Sequence, residues 1–126
     1  MRYALLALVL FMSPALAQSQ ADMNQSACAD VLAAQKKLSR VYQKVLNRHR
    51  GDATTTAAIN KSQQAWQGFR AAQLEAIYPD SDNKNYGTVY GMCLCIESVK
   101  LYEQRINQLS EWLKPREGDV CRGSRN

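Results

Sequence analysis

The chain has 126 residues, with 16 basic and 11 acidic side chains, four cysteines and a formal net charge of +5. This length suits one domain with a modest core. The basic excess is mild and scattered, which argues against a nucleic-acid-binding arm.

The first seventeen residues have the parts of a secretory leader in order. Arg2 is the positive start, Ala4 to Met12 is an apolar run, and Ala15-Leu16-Ala17 is a small-x-small cleavage site. A bilayer span needs about 20 apolar residues, so this run is too short to be a membrane anchor. The expected mature chain is 18–126, periplasmic or secreted after cleavage near Ala17-Gln18, with a charge of about +4 once Arg2 is gone. No cysteine follows the apolar segment directly. Cys28 is the first one, so lipidation is not expected and the protein should be released, not tethered.

Three helices are legible after the leader. In the first, from about Asp22 to Arg50, Ala27, Val31, Ala34, Leu38, Val41, Tyr42 and Val45 recur at three- and four-residue steps. Lys37, Arg40, Lys44 and Arg48 share that period and read as a solvated face. Gly51-Asp52 should end it through a left-handed glycine cap. The second helix should start near Thr54 to Thr56, whose hydroxyls can cap free amides. It carries Ile59, Ser62, Trp66, Phe69, Ala72 and Ala76-Ile77 as its stripe and stops at Pro79. A polar segment from Pro79 to Gly87 follows. The third helix should run from about Thr88 to Lys114, with Met92, Ile96, Val99, Tyr102, Ile106, Leu109 and Leu113 inward, before Pro115, Gly118 and an irregular tail.

No strand alternation, repeat or low-complexity tract occurs. The expected fold is all-α, an up-down-up three-helix bundle stapled by disulfides. In that topology the starts of helices one and three share an end, so Cys28 should meet the Cys93/Cys95 pair. Cys93 and Cys95 diverge by about 200° on a helix and should seek different partners. Four cysteines allow three connectivities. The favoured one is Cys28–Cys93 with Cys95–Cys121. The second bridge is strained in reach: helix three rises about 28 Å from Cys95 to Lys114, and the tail back to Cys121 covers only about 24 Å. An intermolecular Cys121 bridge is the alternative.

Trp66, Phe69 and Arg70 stand at i, i+3, i+4 spacing and should share a face. Either they form an aromatic and guanidinium platform for a ligand, or Trp66 is buried with Arg70 stacked on it and paired to Asp30 or Glu97. Cys93-Leu94-Cys95 with Met92, Met23 and His49 offers soft ligands, but the spacing is wrong for a structural metal site and His49 belongs at the far end of helix one. No metal and no cofactor is expected. His49, the single histidine, should instead close helix one, where an imidazolium suits the dipole. No nucleophile elbow and no paired acids are recognisable, so the chain is not read as an enzyme. Asn24-Gln25-Ser26 matches a glycosylation sequon. The long polar loop at 79–91 is the most suggestive surface, and Asp80, Asp82, Lys84 and Tyr86 are its candidate binding residues.

These segments resemble a known family. Met23-Asn24-Gln25 with Cys28-Ala29, then Leu38-Ser39-Arg40-Val41-Tyr42 and Leu46, resembles the opening helix of the LprI-like lysozyme inhibitors. Gln63-Gln64-Ala65-Trp66 with Phe69-Arg70 resembles the central motif of that family, and Gly87-Thr88-Val89-Tyr90 with Arg105-Ile106-Asn107-Gln108-Leu109 its third segment. The family usually has a cysteine soon after the central Arg, where this chain has Gln73-Leu74, so a disulfide pattern does not transfer. The resemblance implies a small helical exported protein and, for the namesake, inhibition of lysozyme. The competing expectations are a non-inhibitory envelope module, such as an assembly or immunity partner, and a redox or metal protein using Cys93-Leu94-Cys95. A lysozyme or another envelope protein is the expected partner, and the chain should be a monomer or homodimer, with Trp112 among the apolar groups available for pairing.

Overall fold

In the computed structural model, which describes residues 19–125, three α-helices follow one another in the order α1 (Gln20–Arg48), α2 (Ala53–Ile77) and α3 (Tyr90–Ser110), with a short 3-10 turn over Glu111–Leu113. The expected leader and cleavage site lie outside the described residues. Ser19 starts α1 through a capping box. Its hydroxyl accepts from the Asp22 amide at 3.1 Å, and the Asp22 carboxylate accepts from the Ser19 amide at 3.3 Å. The far end of α1 is closed by His49, with φ −103°, not by a left-handed Gly51.

The caps of α2 and α3 differ from the sequence expectation. Asp52, not the threonine run, caps α2, its carboxylate accepting from the Thr55 amide at 2.9 Å. The Thr56 hydroxyl turns back to the His49 carbonyl at 3.1 Å and stitches the two helices at the corner. At α3, Val89 offers no side-chain cap. Asn24 of α1 replaces one, its Oδ1 accepting from the Met92 amide at 3.1 Å and from Gln20 Nε2 at 2.9 Å. Gly91 permits this approach, since a Cβ there would stand 3.1 Å from Asn24 Nδ2. The sequon nitrogen, Asn24 Nδ2, is the atom that lies against Gly91.

Helices α1 and α3 run parallel, side by side along their length. Gln20 and Asn24 meet Met92, Gln35 Nε2 donates to the Tyr102 hydroxyl at 2.9 Å, and Arg48 donates to the Trp112 carbonyl at 3.0 Å. Helix α2 runs the other way, with Trp66 against Tyr102 and Tyr78 against Tyr90. The up-down-up bundle is therefore present. Its core joins Ala34, Leu38 and Val45 of α1, Ile59 of α2, and Tyr102, Ile106 and Leu109 of α3. Val45 and Leu109 are the most completely enclosed. Most of the packing is between α1 and α3.

The cysteine expectation is corrected in its pairing. Cys28 bonds Cys95, with Cα atoms 5.1 Å apart, while Cys93 and Cys121 are free thiols. The divergence of Cys93 and Cys95 holds, but it is Cys95 that faces α1. Cys93 turns to α2, where its thiol lies beside the Tyr78 phenol. Cys121 never returns along the bundle, because the tail is pinned at the other end. Arg116 binds Glu111 and Asp119, Asp119 accepts from the Cys121 amide, and Arg125 lies 5.9 Å over the Trp112 ring. Among the described residues, no helix is long and apolar enough to cross a membrane.

Candidate functional site

The connection from α2 to α3 is an ordered structure built on three tyrosines. Tyr78, Tyr86 and Tyr90 pack together, with ring centroids 5.2–5.7 Å apart, two pairs edge-on and Tyr86 stacked on Tyr90. The Tyr86 hydroxyl donates to the Pro79 carbonyl at 2.6 Å. Tyr86 is thus a half-buried brace, not a protruding finger. Burial, followed by the neighbouring Cys93 thiol and Glu97 carboxylate, raises the Tyr78 phenol above its ordinary pKa.

Asp80 organises the tip. Its backbone is left-handed at φ 57°, a conformation that Asp tolerates better than most residues. Its carbonyl accepts from the amides of Asn83 at 3.1 Å and Lys84 at 2.9 Å, and its carboxylate accepts from Asn83 Nδ2 at 2.7 Å. Gly87, at φ 80°, then turns the chain into α3 while its amide donates to Asn85 Oδ1 at 2.8 Å.

Beside this brace lies a hollow of about 490 Å³, whose lining includes Leu74, Glu75, Tyr78, Asp80, Asp82 and Leu94. Its lining holds three carboxylates and no cation. None of the three is ion-paired among the described residues. A net-positive chain therefore gathers a local negative patch at one end. Lys84, exposed at the tip, stands outside the hollow.

The Trp66, Phe69 and Arg70 group does not share one face. Phe69 points outward and is 53% exposed. The inward positions of α2 are Ile59, Gln63, Trp66 and Arg70, one step round the helix from the expected stripe. Arg70 stacks over Tyr102, 5.1 Å from its centroid, not over Trp66. Neither Asp30 nor Glu97 pairs with Arg70; Glu97 instead binds Lys100 at 2.6 Å. Trp66 meets Tyr102 edge-on at 5.4 Å.

Sequence reasoning missed the buried Arg105. Its Nε donates to Gln63 Oε1 at 2.9 Å, and its two terminal nitrogens donate to Gln108 Oε1 at 3.2 Å and Ser62 Oγ at 3.0 Å. Burial lowers its pKa from the ordinary value. The signal was present, because position 105 falls on the stripe of Ser98, Tyr102 and Leu109, where a charged residue needs partners.

His49 and Cys93 lie at opposite ends of the bundle, and no group of three metal-type ligands occurs among the described residues. No curated protein and no solved structure matches the chain significantly. The family model described as Lysozyme inhibitor LprI matches residues 13–109, across the capped α1, the Trp66–Arg70 segment of α2 and nearly all of α3. A match over that much of the chain settles its kinship: the protein belongs to the LprI lysozyme-inhibitor family.

Proposed function

We propose that this chain is an exported lysozyme inhibitor and that its acidic, tyrosine-braced end is the surface that meets the enzyme. The observation that carries the reading is the hollow with Glu75, Asp80 and Asp82 in its lining, unneutralised, on a chain whose total charge is positive. Animal-type lysozymes are basic, so two net-positive molecules gain nothing from long-range steering. Attachment then depends on a local patch of opposite sign, which fixes orientation more than it adds affinity. The Asp80 turn holds that patch in shape before contact, so little ordering entropy is lost on binding. Lys84 is the loop cation free to approach the paired carboxylates of a glycosidase cleft. Tyr86 supports the loop from behind.

A lysis assay tests this. The mature chain should protect a peptidoglycan substrate from a basic lysozyme. Combined Asp80→Asn and Asp82→Asn should weaken protection by about tenfold or more, since Asn keeps the left-handed turn while removing charge. Lys84→Ala should weaken it further. Equal protection by wild type and these variants would remove the loop as the inhibitory site. No protection by wild type would favour a non-inhibitory envelope partner.

A further inference from the structure

A second concavity, sharing no lining residue with the acidic hollow, has the opposite electrostatic character. Between α1 and α2 a cleft of about 280 Å³ is lined by residues that include Gln35, Tyr42, Gln63, Trp66, Arg70 and, as its buried floor, Tyr102. No carboxylate is in its lining. Arg70 has no ion-pair partner among the described residues, and its buried Nε has no hydrogen-bond partner. The ring contact favours the guanidinium, but a buried Nε–H without an acceptor costs free energy that an incoming acceptor would recover.

The neighbouring groups are turned to offer donors. Arg105, behind the wall, donates to Gln63 Oε1, so the NH₂ of Gln63 is left for the cleft. Gln35 donates to the Tyr102 oxygen, so the Tyr102 proton is also left to give. Trp66 and Leu38 supply apolar wall. The volume corresponds to roughly nine waters at about 30 Å³ each, the size of one small ring compound. A donor-rich, aromatic-walled cleft with an unpaired guanidinium fits a small ligand that is rich in acceptors and carries a carboxylate.

We propose that the α1–α2 cleft binds a small acidic sugar, with Arg70 holding its carboxylate and Gln63 and Tyr102 donating to its oxygens. This stands apart from the lysozyme reading, because it uses none of the loop residues. The test is titration of the mature protein with glucuronate, glucose and acetate, followed through the indole N–H resonances of Trp66 and Trp112. Glucuronate should shift the Trp66 signal saturably and bind at least about tenfold more tightly than glucose or acetate, leaving Trp112 unmoved. Gln67→Glu alters an exposed cleft residue and so spares the core. It should weaken glucuronate by about tenfold or more by supplying Arg70 with a competing carboxylate, and Arg70→Gln should abolish the shift. The proposal is overturned if glucuronate gives no saturable shift at Trp66, if glucose or acetate binds as well, or if Gln67→Glu binds glucuronate like wild type.

Discussion

Cys28 and Cys95 are separated by 67 residues, so their bond removes much of the freedom of the unfolded chain. In the chain-entropy account that is worth about 4 kcal/mol. Cys28→Ser or Cys95→Ser should therefore lower stability in denaturant titrations by about that amount, while Cys93→Ser should leave it nearly unchanged. Intact-mass analysis after alkylation under denaturing, non-reducing conditions should find two modified thiols. The two-residue spacing of Cys93 and Cys95 already says that they point apart. Which one faces α1 was not legible, because it depends on the rotation of α3. The stripe through Met92 and Ile96 turns α3 too far, and Ile96 is 41% exposed. Ser98 and Arg105, both polar, occupy inward positions that a search for apolar residues passes over.

At the scale of elements, the helix ends carry the sharpest contrasts. Hydrogen bonds from Thr55, through its side chain first and its amide second, hold the Asp52 carboxyl below its ordinary pKa. A lowered folded-state pKa means stability that is present above the unfolded value, near 3.9, and lost as pH falls through the folded one. Asp52→Asn should thus be less stable than wild type at neutral pH, and the gap should close as the pH drops below about 4. Thermal melts across that range would show a constant gap if the charge contributed nothing. The existence and order of the three helices were legible from apolar period and from the Gly51-Asp52 and Pro79 breaks. The Asn24 cap on α3 was not, because it joins residues 68 apart through tertiary packing. The inward face of α2 was also hidden. Gln63 and Arg70 there are polar and meet α3 instead, Gln63 by accepting from Arg105 and Arg70 by stacking over Tyr102, contacts that apolar periodicity does not register.

Across the whole molecule, the bundle leaves two concave surfaces of opposite sign. The acidic hollow sits at the α2–α3 connection, and the guanidinium cleft opens midway along α1 and α2. The loop residues Asp80, Asp82 and Lys84 were legible as a polar, overlong connection. Their fixed shape was not, because the brace of Tyr78, Tyr86 and Tyr90 forms only when α2 and α3 bring both loop ends together. We propose the acidic end as the lysozyme-binding face. Its most direct test is amide hydrogen exchange of the mature chain with and without a basic lysozyme. New protection should concentrate between Tyr78 and Tyr90 and diminish at high salt, because exposed charges are screened. Protection confined to the outer face of α1, or none at all at saturating enzyme, would contradict it.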